Sequence, residues 1–196
     1  MGWCFELDTV ERYAFWENAF SKEECETIIK EAKKKKLEKA TVFSDQSQKV
    51  KEDVRKSNIC FLNSDNCSEL NWAYERLAGI SMSLNEQFFK FDLWGFAEGF
   101  QFTEYESPGG EYSSHVDKTF NKQIRKLSIV LQLTDENEYE GGDFQLLDAG
   151  EKKPENLSRK QGIVLAFPSY TLHRVTPVTK GTRHSLVAWI TGKPFK

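Results

Sequence analysis

The sequence predicts an α+β protein, mainly β, with two helices packed outside an antiparallel barrel or double-sheet jelly roll. Three observations carry this. The 196 residues are 39% hydrophobic and 13% aromatic, which suits one globular domain that needs neither disulfides nor a structural metal for its core. Two apolar stripes at helical spacing lie in the first half. From about residue 90 onward, short β-type runs are separated by glycine-rich turns with no helical pattern between them. The expected organisation is a single domain over 1–196, with helical support and edge strands over 1–97 and the jelly-roll core over 98–196.

The opening segment carries Glu6, Asp8 and Glu11 where a signal peptide needs basic residues and then an apolar run, and no stretch approaches 18 apolar residues. A cytoplasmic protein without a membrane segment is expected. Ser21 and Glu24 form a capping box flanked by Phe20 and Cys25, and Cys25, Ile28, Ile29 and Ala32 continue it as a buried stripe. A second helix is expected from near Asn66, with Glu69 as its capping partner and Leu70, Ala73, Leu77, Ile80 and Leu84 facing the core. Between the helices, the charged stretch Lys49–Asn58 reads as an exposed loop and Ile59–Leu62 as a strand. The later strands are expected over Gly99–Tyr105, Leu127–Leu133, Asp143–Leu147, Ile163–Phe167, Leu172–Val175 and Ser185–Thr191. Their turns fall at Pro108-Gly109-Gly110, Gly141-Gly142, Gly150, Gly162 and Lys180-Gly181.

Lys plus Arg number 27 against 30 Asp plus Glu, for a net charge of −3, so nucleic acid is not an expected partner. The run Lys33–Lys36, with Lys30 and Lys39, reads as a solvated helix face. Cys4, Cys25, Cys60 and Cys67 form no CxxC pair. Reduced buried thiols are expected, with a Cys60–Cys67 bridge left open.

Two of the three histidines carry the chemistry. His115 and Asp117 stand at i and i+2 on an extended segment and point the same way. His173 adds a ligand from a distant strand. Two imidazoles and one carboxylate on one face, with the opposite face open, form the facial triad of non-haem Fe(II) oxygenases. Ten residues after His173, Arg183 opens a strand on which Arg183, Ser185, Val187 and Trp189 share a face, while His184 falls on the other and reads as structural or solvated. A buried guanidinium needs an anionic partner, and a ligand carboxylate would satisfy it.

Further motifs sharpen this reading. Gln101-Phe102-Thr103-Glu104-Tyr105 leads through Pro108-Gly109-Gly110 and Tyr112 into His115-Val116-Asp117. Lys126–Leu133, Tyr139-Glu140-Gly141-Gly142, Phe167-Pro168, Val175-Thr176-Pro177-Val178 and Gly181-Thr182-Arg183 follow in order. In these residues the chain resembles the Fe(II)- and 2-oxoglutarate-dependent dioxygenases, in particular the prolyl 4-hydroxylase-like branch. The resemblance is close from about residue 98 to 192, and it implies a double-stranded β-helix core.

It further implies His115, Asp117 and His173 as iron ligands, Arg183 as the residue for the distal carboxylate of 2-oxoglutarate, Tyr105 as a hydroxyl contact to it, and Trp189 as pocket lining. The implied cofactors are Fe(II), 2-oxoglutarate and O2, with L-ascorbate as a candidate accessory ligand. One departure stands out. Relatives place a tyrosine or lysine on the strand after the HxD loop, where this chain offers Leu127, Ile129, Leu131 and Leu133 on one face, so Arg183 is expected to rely on Tyr105 or Thr119. The implied reaction is hydroxylation of a C–H bond, with a prolyl residue of a peptide or protein as the expected target and the polar stretch Thr41–Asn58 as its lid. The alternatives are a cupin-like metal-binding module without turnover and a dioxygenase acting on a lysyl residue, a small molecule or a nucleobase. Arg55 and Ser57 are read as residues of a solvated loop, with substrate contact as the alternative.

Overall fold

The computed structural model describes residues 9–44, 47–96, 98–117, 124–147 and 153–194. Cys4, Thr119 and the Gly150 turn lie outside them.

The chain begins with strand β1 (Ala14–Trp16) and helix α1 (Lys22–Lys33). The capping box forms as the sequence requires: Ser21 Oγ accepts from the Glu24 amide at 3.2 Å, and the Ser21 amide donates to Glu24 Oε2 at 2.9 Å. Such a cap stabilises a helix by about 1 kcal/mol. Next come β2 (Glu38–Lys39), the hairpin β3 (Val42–Ser44) and β4 (Ser47–Lys49), β5 (Arg55–Lys56) and β6 (Asn58–Leu62). Helix α2 is Asn71–Leu84. It starts later than the capping-box reading of Asn66 and Glu69, after a single 3-10 turn over Ser68–Leu70. Asn66 is instead committed to the preceding turn, where its Oδ1 accepts from the Asn63 amide and its Nδ2 donates to the Phe61 carbonyl.

The second half is built of β7 (Leu93–Phe96), β8 (Phe100–Glu106), β9 (Gly110–His115), β10 (Arg125–Gln132), β11 (Tyr139–Gly141), β12 (Phe144–Leu146), β13 (Glu155–Asn156), β14 (Val164–Pro168) and β15 (His173–Gly192). The larger sheet runs β1-β14-β10-β15-β8-β6-β2. Strands β13, β12, β9 and β5 pair outward from the first part of β15 as a smaller sheet. The two runs expected over 172–175 and 185–191 are therefore one strand that belongs to both sheets. Gly181, expected in a turn, marks the crossing: its φ is +71°, and a Cβ there would stand 2.3 Å from the Glu138 carbonyl oxygen. This is a jelly-roll core with two supporting helices.

Strand alternation sorts the residues into two apolar layers. Phe100, Phe102, Leu127, Ile129, Leu131, Leu186, Ala188 and Ile190 face the helices and meet Cys25, Ile28, Leu77 and Leu84. The opposite faces turn toward the smaller sheet, where Tyr105, Val130, Leu165 and Phe167 meet Phe144, Leu146, Val175 and Val178. His184, on the helix side, has Nε2 3.0 Å from Glu104 Oε2 and Nδ1 3.0 Å from Thr134 Oγ1, so its role is structural. Cys25, Cys60 and Cys67 are buried free thiols, and Cys60 and Cys67 are not bridged. Burial pushes the Cys25 thiol up to about 12 and the Cys60 thiol up to about 11, which makes both poor nucleophiles.

The charged stretch 49–58 is not an exposed loop throughout. Strand β5 pairs with β9 opposite Tyr112, and Arg55 and Ser57 are 7% and 9% exposed. Charge count alone misreads it because the Arg55 guanidinium is covered by the Tyr112 ring, 4.4 Å from its centroid.

Candidate metal and co-substrate site

Strand register assembles the site. His115 ends β9 directly opposite His173 at the start of β15. Asp117, two residues on, is fixed by its amide, which donates to the Ser169 carbonyl at 2.9 Å. One ligand atom from each of His115, Asp117 and His173 lies within 4.8 Å of the other two. His115 Nε2 is 3.8 Å from Asp117 Oδ1, and His173 Nε2 is 3.7 Å from Asp117 Oδ2.

Both imidazoles are oriented by the same device. Nδ1 of His115 lies 2.8 Å from the Ser113 carbonyl, and Nδ1 of His173 lies 2.9 Å from the Thr171 carbonyl. With Nδ1–H donating, each Nε2 presents its lone pair to the centre, the tautomer a metal ligand needs. Burial, and then the neighbouring His173, pushes His115 down to about 3, so it is neutral at pH 7. Burial raises the Asp117 carboxyl, but His173, His115, Trp189 and Ser128 together outweigh it and keep the group anionic. Two imidazole nitrogens and one carboxylate suit a divalent cation.

Behind Asp117 stands a polar pair that sequence reading missed. Ser128 Oγ donates to Asp117 Oδ2 at 2.7 Å and lies 2.9 Å from Ser169 Oγ, with both serines buried. Outer partners of this kind typically contribute about 10- to 100-fold to metal affinity. Ser128→Ala is expected to weaken Mn(II) binding by about tenfold with the fold intact, read by titration of the metal against electron paramagnetic resonance. An unchanged affinity would mean that Ser128 only fills space.

Arg183 enters the interior from β15, 1% exposed, with the Tyr105 ring centroid 5.3 Å from its Cζ. Its Nη2 donates to Gln132 Oε1 at 2.8 Å, while Nε and Nη1 are buried without a partner. Of the neighbours expected for Arg183, Tyr105 lies against the guanidinium and Thr119 is outside the described residues, while the hydrogen-bond partner is Gln132, which the sequence reading did not name. The sequence reading had weighed the leucine face of β10, whereas Ser128 and Gln132 occupy the other face. Strand parity was the available signal: alternation from Lys126 to Gln132 places Lys126, Ser128 and Gln132 opposite Leu127, Ile129 and Leu131. Unsatisfied nitrogens on a buried cation are costly, so this arrangement fits a carboxylate ligand.

Trp189 also faces inward. Its indole N–H has no partner within hydrogen-bonding distance, yet it lies close enough to favour the Asp117 anion. The Arg125 guanidinium covers its ring at 3.7 Å and is held by Glu98 through two contacts of 2.8 Å. On the other side, Tyr112 stacks on His115 at 3.5 Å with Arg55 above it. Sequence reading mentioned Arg55 and Tyr112 without placing them at the metal centre.

Fold and site thus define a jelly roll that presents two histidines and an aspartate to one point and buries an arginine with two unpartnered nitrogens against Tyr105 of the same inner layer. Residues 100–191 match the family model of the 2OG-Fe(II) oxygenase superfamily. A PKHD-type hydroxylase of Synechococcus sp. (strain CC9311) is 44% identical over 92 residues, covering 46% of this chain and 40% of the relative. The matched segment thus spans about two-fifths of that curated relative. The fold is shared with a Pseudomonas putida prolyl-4-hydroxylase, at TM-score 0.73 and 18% identity over 93% of this chain and 94% of the other. It is also shared with a Trichoplax adhaerens prolyl hydroxylase in complex with a hypoxia inducible factor oxygen degradation domain peptide fragment. That likeness has TM-score 0.76 and 14% identity over 92% of this chain and 84% of the other.

Proposed function

We propose that this chain is an Fe(II)- and 2-oxoglutarate-dependent dioxygenase that hydroxylates a prolyl residue of a peptide or protein. The observation that carries the reading is the pairing of the His115–Asp117–His173 cluster with the unpartnered Nε and Nη1 of Arg183. His115, Asp117 and His173 would hold Fe(II), and Arg183 the distal carboxylate of 2-oxoglutarate. When bound, Fe(II), 2-oxoglutarate and O2 supply oxidative decarboxylation to succinate and carbon dioxide coupled to hydroxylation of a C–H bond.

The chain's own residues bind, orient and keep the site dry. Ser128 fixes the Asp117 carboxylate, the Ser113 and Thr171 carbonyls fix the two ring tautomers, and Gln132 fixes the guanidinium. Phe144 and Phe167 pack on His173, with ring centroids 5.5 and 4.8 Å away, and exclude water from its far side.

The peptide target rests on the two stacked pairs beside the triad. Arg55 over Tyr112 and Arg125 over Trp189 place guanidinium groups beside the triad as donors for peptide carbonyls. The co-crystallised peptide of the Trichoplax protein supports the same reading. The whole chain is taken as one functional unit, since β5 and β6 from the first half pair with β9 and β8 of the second. Three buried free thiols fit a reducing compartment such as the cytoplasm. Among the described residues no helix is long and apolar enough to cross a membrane.

Incubation with Fe(II), 2-oxoglutarate and a panel of proline-rich peptides should yield succinate together with a one-oxygen mass gain on proline. Product confined to lysine side chains or free amino acids would reject the prolyl target and leave the dioxygenase chemistry standing. Metal uptake without succinate formation under any condition would favour a binding module.

A further inference from the structure

We propose that Tyr139 is a second donor to the distal carboxylate of the co-substrate, and that Tyr139 and Arg183 together form one anion receptor. The inference rests on the dioxygenase reading and deepens it. Among the described residues, the buried side-chain atoms without a hydrogen-bond partner include Tyr139 Oη alongside Nε and Nη1 of Arg183. Buried polar groups are almost always paired, so an unpaired phenol and an unpaired guanidinium are each notable. They are also neighbours. A Cβ added to Gly142 would stand 3.3 Å from Tyr139 Cε2 and 3.2 Å from Arg183 Cδ, so the two side chains meet over that glycine.

The phenol is held in place from both sides. Tyr139 pairs with Gly181 where β15 crosses between the sheets, two residues before Arg183. The Arg159 guanidinium covers its ring 4.2 Å from the centroid, while Nη2 of Arg159 donates to the Tyr139 carbonyl at 2.8 Å and Nη1 to Asp143 Oδ1 at 3.0 Å. Tyr139 is 4% exposed, so its hydroxyl has no bulk water to satisfy it. The guanidinium, for its part, has already committed Nη2 to Gln132, whose amide Nε2 donates to the Ser158 carbonyl at 3.3 Å. A carboxylate that takes one oxygen to Arg183 needs a donor for the other, and the Tyr139 hydroxyl is the unpartnered donor beside it. Charge-assisted hydrogen bonds from both sides would hold a dicarboxylate and discriminate against a 2-oxoacid that lacks the second carboxylate.

Tyr139→Phe removes only the oxygen atom. Titrating 2-oxoglutarate calorimetrically into the manganese-loaded protein without O2 should show about tenfold weaker binding by the variant, as loss of one hydrogen bond to a charged group implies. Pyruvate, which has no distal carboxylate, should bind both proteins equally. The free variant should melt no lower than the wild type, because the lost hydroxyl had no partner. Unchanged 2-oxoglutarate affinity, an equal loss toward pyruvate, or a lower melting temperature with unchanged affinity would each overturn the role of Tyr139. A wild-type protein that takes up no 2-oxoglutarate would overturn the dioxygenase reading along with it, which separates the two failures.

Discussion

His173→Ala is expected to abolish stoichiometric metal binding, lowering the affinity for Fe(II) or Mn(II) by more than about a hundredfold, since even an outer partner is typically worth 10- to 100-fold. The variant leaves His115 and Asp117 as the only donors from the cluster. Two groups separated by one residue of extended backbone cannot enclose a face of the ion. The fold should survive, because the variant gives up only the ring contacts of His173 with Phe144 and Phe167, and the larger apolar layer lies on the other side of the sheet. Circular dichroism together with metal analysis after dialysis checks both halves of the statement. Full metal occupancy in a folded His173→Ala protein would remove His173 from the ligand set.

Arg183→Ala is expected to weaken 2-oxoglutarate by about ten- to a hundredfold, because a hydrogen bond to a charged group contributes about 1.5 to 3 kcal/mol. Metal affinity should hardly change: Arg183 is positioned by Gln132 and Tyr105, and neither touches the triad through a hydrogen bond. The two effects separate in one experiment, in which manganese is titrated first and the 2-oxoacid second. A co-substrate affinity that survives the loss of Arg183 would place the carboxylate elsewhere in the pocket and would also remove the partner proposed for Tyr139.

Much of this molecule is local chemistry, and local chemistry is legible in a sequence. The Ser21–Glu24 capping box, the stripe Cys25–Ile28–Ala32 and the alternation on β8 and β15 each depend on residues within one turn or one strand. The pairing of His115 with Asp117 is of the same kind, since an i, i+2 spacing on extended backbone aims both at one point. The helix reading near Asn66 failed for an equally local reason. An Asn that fits a helix cap also fits a turn, and the carbonyl of Phe61 and the amide of Asn63 decided between them.

What the sequence determined by itself is therefore the two helices, the principal strands over 59–62 and from 99 onward with their inward and outward faces, and the His-x-Asp pair with a distant histidine and arginine. Only the tertiary structure decided which inward side chains meet. Register across β9 and β15 sets His115 opposite His173, Ser128 and Gln132 of β10 arrive beneath Asp117 and Arg183, and β5 carries Arg55 over Tyr112. The physical reason is that strand pairing joins residues tens of positions apart through backbone hydrogen bonds, which carry no side-chain signature. A polar residue on an apolar strand shows that it needs a partner, and the partner is chosen by the fold.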